Sequence, residues 1–183
     1  MKHPRLRTVL AMLLVLVAAS AHAALKSGDK VPDYLGNKVD GTAIHSSQYR
    51  GKVLVVTFWA TWCHYCMHEL PVLANIQRLT GDRLQVVAIS HDETRRTYLY
   101  VHRKLHKLGM VLAYDRVNKA AHAFGVNGIP HMVIIGPDGH IAHVHVGYDK
   151  DMLPTIASEL NTLLAEVPHS GTVTREEPPR QAR

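Results

Sequence analysis

The pattern of apolar and polar positions divides the chain into a short leader, one folded body and a polar tail. Residues 52–60 (KVLVVTFWA) form a nearly unbroken apolar, β-branched run, as in a strand buried on both faces. Residues 84–90 (LQVVAIS) read as a second such strand. Between them, 64–79 predicts a helix with Leu70, Leu73, Ile76 and Leu79 as one apolar stripe. Pro71 lies inside it and lacks a backbone donor, so a kink is expected there. A polar-amphipathic helix from about 93 to 107, a short strand at 110–114 and a short helix at 119–124 follow. The strands 131–135 and 140–146 flank Pro137-Asp138-Gly139 and read as an antiparallel hairpin. Residues 149–166, with Met152, Ile156, Leu160 and Leu163 on one face, make the closing helix. Near the start, 31–33 and 43–44 read as short strands around a turn at 37–41. The order predicts an α/β fold: a mostly parallel central sheet with an antiparallel edge hairpin and helices on both faces.

The ends carry no such pattern. Lys2, Arg5 and Arg7 precede an apolar run at 9–19 that finishes in Ser20-Ala21-His22-Ala23. A basic start, a short apolar stretch and a small-x-small ending describe a secretory signal peptide, with cleavage expected after Ala23. The run falls short of the roughly 20 residues a membrane span needs; an uncleaved N-terminal anchor is the alternative. Residues 168–183 are rich in Pro, Ser, Thr and charge and read as a disordered tail. The expected organisation is therefore a leader at 1–23, a domain at 24–167 and a tail at 168–183, in a periplasmic protein.

Composition changes this picture little. The net charge of +6 contains three basic groups and no acidic ones from the leader, so the mature chain carries +3 with His neutral. Arg95, Arg96, Arg103, Lys104 and Lys107 fall on one predicted helix and read as a solvated face, so no nucleic-acid partner is implied. The absence of long heptads makes a monomer the expectation.

The two cysteines say more. Cys63 and Cys66 are three apart, in a chain addressed to an oxidising compartment. A bridge of that span closes almost no loop and contributes little stability, which points to chemistry. A structural zinc needs four ligands, and there is no second cysteine pair. The motif falls where a buried strand ends and a helix begins. There, Cys63 faces unpaired backbone N–H groups and the positive end of the helix dipole, which favours its thiolate. Cys66 lies one turn further in. Cys63 is thus the attacking thiol and Cys66 the resolving one.

Phe58-Trp59-Ala60-Thr61-Trp62-Cys63-His64-Tyr65-Cys66 closely resembles the active-site segment of thioredoxins, and Gly128-Ile129-Pro130 resembles their cis-proline loop. The continuation Cys66-Met67-His68-Glu69-Leu70-Pro71, the Val31-Pro32-Asp33 segment and the Pro137-Asp138-Gly139 turn look like the exported ResA/TlpA group of thiol-disulfide oxidoreductases. The likeness covers roughly 28–165. It implies a thioredoxin-like fold, a cis Pro130, and client contacts at Trp62, His64, Tyr65, Ile129 and Pro130. Thioredoxins carry a buried Asp six residues before the first cysteine; Thr57 stands there, and it does not ionise. The ResA-like pattern instead has an acidic residue three after the second cysteine, matched by Glu69, which is expected to accept the Cys66 proton with a pKa raised by partial burial. The peroxide-reducing relatives want Thr or Ser and Pro where Ala60 and Val56 stand, so peroxidase activity is not implied.

The resemblance implies a reductase of exported protein disulfides, apocytochromes c among them, recharged by a membrane electron-donor protein. A disulfide-donating oxidant or isomerase, with an electron acceptor in the membrane, is the alternative, because a protonated His64 beside Cys63 stabilises the reduced pair. That places the expected potential between about −250 and −150 mV. Fourteen histidines are many for this length. His64 and His68 are four apart on one helix, and His143 and His145 share a strand face, which leaves a copper-site assembly protein as a further alternative. Most read as exposed polar groups, and no metal or cofactor is assigned. His131 is expected to join a weakly basic rim beside the cysteines.

Overall fold

The computed structural model describes residues 25–168. The leader read at 1–23 and all but the first residue of the tail read at 168–183 lie outside the described residues. Seven strands form one sheet: β1 (Tyr34–Asn37), β2 (Ala43–His45), β3 (Val53–Trp59), β4 (Leu84–Ser90), β5 (Val111–Tyr114), β6 (His131–Ile135) and β7 (Ile141–Val146). Four α-helices accompany them among the described residues: α1 (His64–Thr80), α2 (Arg95–Leu105), α3 (Lys119–Ala123) and α4 (Leu153–Leu164).

The sheet order is β2-β1-β5-β4-β3-β6-β7. Its centre, β5-β4-β3, is parallel. Antiparallel strands flank it on both sides, β6 and β7 beyond β3, β1 and β2 beyond β5. The chain steps from β3 to β4 to β5 in one direction, and right-handed crossovers then place α1 and α2 on the same face. The period-two alternation of β3 divides the core accordingly. Val53, Val55 and Trp59 face a cluster holding Cys63, Cys66, Leu70, Leu73 and the α4 residues Ile156, Leu160 and Leu164. Leu54, Val56 and Phe58 face a second cluster with Phe124, the residue that ends α3, and Val31, Leu35 and Ile44 of the N-terminal segment.

Local chemistry explains where the elements stop. The predicted helix 93–107 begins at Arg95, because Thr94 caps it by accepting the Thr97 N–H at 3.1 Å. The turn 136–139 closes through the Gly139 N–H to Gly136 O at 2.8 Å, with Gly139 at φ +77°, a conformation that favours glycine. Pro71 leaves α1 assigned as one continuous helix.

Two expectations are corrected. Residues 31–33 are not a strand: Lys30 makes a single bridge to His140, and Asp33 turns to accept the Ser47 N–H at 3.0 Å and to pair with His45 Nδ1 at 2.9 Å. These contacts hold the Asp33 carboxyl down at about 2, with the backbone hydrogen bond as the largest cause. The strand lies just after, at β1, where Gly36 (φ +99°) brings the backbone close to Tyr114. Leu79, placed in the α1 stripe, is 69% exposed. Steps of three residues rotate by about 300°, so a strict i+3 row drifts around the helix, and Leu79 ends opposite Leu70. Gln77 serves that end instead, accepting the Val86 N–H at 2.7 Å and donating to Gly109 O at 2.9 Å.

The drift generates a paired prediction. Leu73→Ala is expected to cost about 2–5 kcal/mol of unfolding free energy, and Leu79→Ala about 0.5 kcal/mol or less. Urea denaturation of the oxidised protein measures both; equal losses would refute the placement.

Candidate active site

β3 delivers the site. Its last residue, Trp59, is fully buried, and its carbonyl accepts the His91 N–H at 2.8 Å. The following loop is pinned by the Cys63 N–H to Ala60 O at 3.1 Å and by Glu93, whose carboxylate accepts the Thr61 N–H. Cys63 is then the N-cap of α1, and its sulfur accepts the Cys66 N–H at 3.2 Å. The two cysteines form a disulfide with Cα atoms 5.3 Å apart. Cys63 keeps 6% of its surface exposed and Cys66 none. Cys63 is thus the less enclosed of the two, and it lies at the positive end of a 17-residue helix.

Beneath the pair, Glu69 is 1% exposed. It lies three residues after Cys66, on the same helix face. Its Oε2 accepts the Thr57 hydroxyl at 2.6 Å, while Oε1 is buried without a partner among the described residues. Burial pushes its carboxyl up to about 7, and the Thr57 hydrogen bond only partly opposes this. Thr57 is the one polar residue in β3, and its strand face points it at α1. In the sequence Thr57 stands out only as a residue that does not ionise. Its isolation in an otherwise apolar buried strand was the available signal, since a buried hydroxyl needs a partner.

The Ile129–Pro130 bond is cis. The antiparallel register sets His131 opposite Phe58, which puts Pro130 at the same sheet end as the cysteine loop. The Pro130 carbonyl accepts the Gly147 N–H at 2.8 Å, and Ile129 packs against the cluster that contains Cys63 and Cys66. Trp62 and Tyr65 flank the disulfide and are 64% and 62% exposed. His64 and His68 are exposed, with their Nε2 atoms 3.1 Å apart. Together with Tyr65, Tyr148, Asp149 and Lys150 they line a groove of about 320 Å³. Burial raises the Tyr148 phenol, with the charges of Glu69 and Asp149 adding to it. Neither Tyr148 nor the loop-pinning Glu93 was singled out from the sequence, because both reach the site from distant elements.

The structure places His131 elsewhere than expected. It is 4% exposed, both ring nitrogens lack partners among the described residues, and it packs edge-on to Phe58 at 6.1 Å. Burial lowers its pKa. On β6 its side chain shares the Phe58 face, opposite the face that holds the dithiol, so it is not part of the rim. His143 and His145 both engage Glu159 of α4, at 3.2 and 2.7 Å.

Residues 26–164 match the family model described as Redoxin. The thiol-disulfide oxidoreductase ResA of Bacillus subtilis (strain 168) is 27% identical over 151 residues, covering 74% of this chain and 82% of that protein. A Chlorobium tepidum crystal structure, described as a thiol:disulfide interchange protein DsbE, superposes with a TM-score of 0.69 at 25% identity, covering 77% of this chain and 99% of that one. The thioredoxin domain of the Bacteroides vulgatus thiol-disulfide oxidoreductase BVU-2223 superposes at 0.64 with 20% identity, covering 75% and 100%. The fold is thus thioredoxin-like, with the parallel centre and antiparallel flank that the chain's pattern implied.

The buried carboxyl gives stability a defined pH dependence. The unfolded chain releases the Glu69 proton in the ordinary carboxyl range, whereas the folded protein holds it until about 7. Its contribution is therefore full at acid pH and is lost as pH rises from about 5 through 7, by on the order of 3 kcal/mol. Glu69→Gln is expected to flatten that slope. Denaturant midpoints of the oxidised proteins between pH 5 and 8 test this; a mutant retaining the slope would assign it to another group.

Proposed function

The chain belongs to the Redoxin family, and on that premise we propose that it is a thiol-disulfide oxidoreductase of the ResA type that reduces disulfides of exported proteins. The observation that carries this reading is the pair itself: one cysteine at a helix N-terminus with a margin of exposure, its partner fully enclosed three residues before a buried carboxyl.

In the reduced protein, the Cys63 thiolate attacks a client disulfide, forming a mixed disulfide and expelling one client thiolate. Glu69 takes the Cys66 proton; a carboxyl poised near neutrality is suited to accept it and later return it. The Cys66 thiolate then attacks the Cys63 sulfur, releasing the second client thiolate and closing the Cys63–Cys66 disulfide. Full burial restricts Cys66 to this internal step. Two electrons from the dithiol of a membrane donor protein restore the reduced state. Trp62, Tyr65, Ile129 and Pro130 are the proposed client contacts, His64 lines the adjoining groove, and apocytochromes c in the periplasm are the proposed clients.

The rival direction, disulfide donation, relies on a fixed cation at His64. The Nε2 of His64 instead pairs with the Nε2 of His68, at 3.1 Å. This favours the reductase.

Equilibration in glutathione and dithiothreitol buffers tests the proposal. For the reductase the expected potential lies near or below the thioredoxin level of about −270 mV; a value well above it, towards about −120 mV, would make the protein an oxidant. Cys63→Ser is expected to abolish client reduction. Cys66→Ser is expected to trap the mixed disulfide, visible by mass spectrometry, and a Cys66→Ser protein that still turned over would overturn the assigned roles.

A further inference from the structure

We propose that His64 and His68 form a chelate for a divalent d-block cation, zinc or copper(II), at the mouth of the dithiol. The two side chains project from successive turns of α1, the i, i+4 spacing that lets two imidazoles of one helix face grip a metal. Their Nε2 atoms converge to 3.1 Å, with ring centroids 4.6 Å apart and planes at 77°. Two imidazole nitrogens on a tetrahedral zinc stand about 3.3–3.4 Å apart, and on a square-planar copper(II) about 2.9 Å. The observed separation lies between these values, so the two nitrogens already span the bite of a chelate; the proton that one Nε2 donates to the other moves off when an ion binds.

The surroundings suit an exchangeable ion. Both rings are exposed and open onto the groove of about 320 Å³, which leaves room for water ligands, and Asp149 lies on the groove wall. Among the described residues no three His, Cys, Asp or Glu side chains gather as a metal cage, which sets this pair apart from a structural site. Of the other neighbouring histidines, His143 and His145 are already engaged by the Glu159 carboxylate, and the rings of His102 and His106 lie stacked with centroids 6.3 Å apart and planes at 14°. An ion on His64 and His68 stands beside Cys63, in the groove next to the proposed client contacts. It would add positive charge near the reactive sulfur and narrow the approach to it. The site does not depend on the direction in which the dithiol passes electrons.

The oxidised protein isolates the site, because its disulfide offers no thiolate to compete for metal. Zinc chloride is titrated into the oxidised chain at pH 7.5 and followed by calorimetry and by imidazole ¹H–¹³C NMR. The expected result is one ion per chain, with the first perturbed ring signals belonging to His64 and His68. His68→Gln, an exposed substitution, is expected to weaken binding by about tenfold or more, whereas His143→Gln leaves it unchanged. Equal affinity in wild type and His68→Gln would overturn the proposal. So would first perturbations at His143 and His145, or no binding below roughly 1 mM zinc.

Discussion

The structure depends on the complete enclosure of β3. It is hydrogen-bonded on both edges, to β4 in parallel and β6 in antiparallel, and every one of its residues is buried. No water reaches it, so each side chain can be satisfied only by its own face of the core. Six of the seven pack into the core, Trp59 with its indole N–H left without a partner among the described residues. The seventh, Thr57, is satisfied by donating to Glu69, and this fixes which carboxyl lies under the dithiol. The same strand ends at Trp59 and leaves three residues before the N-cap of α1, so its rigidity becomes the rigidity of the cysteine loop. Chemistry at Cys63 is positioned by a strand it does not belong to.

Much of this was legible because it follows from local pattern. The long apolar runs marked β3 and β4, and the Pro-Asp-Gly turn marked the β6–β7 hairpin. The cysteine spacing marked the head of α1. Illegible were features decided by partners far along the chain. β1 carries a glycine and only one strongly apolar residue, Leu35, and it gains its identity from β2 and β5. Thr57 and Glu69 are twelve positions apart on different elements, and neither periodicity announces the other. His131 was misplaced by nearness in sequence: one residue after Pro130, it lies on the far side of the sheet because strand neighbours point in opposite directions.

Five of the histidines, alike in sequence, take three distinct settings. His131 sits in the apolar core, where burial lowers its pKa. His143 and His145 share one carboxylate and tie the edge strand β7 to α4, which closes the sheet beside the site. His64 and His68 are paired with each other in the open. Composition counts them together, while the backbone that carries them separates their chemistry.

Ile129 packs against both hydrophobic clusters. Elsewhere the sheet is a partition: side chains of one layer do not meet those of the other, and each layer can repack on its own. At Ile129 the partition ends. The residue before the cis-proline is therefore a seam between two otherwise separate cores. On the client contacts proposed above, a client strand laid along that loop would press on the layer that holds the sulfurs and on the layer that does not, and the back of the molecule would take part in recognition at its front.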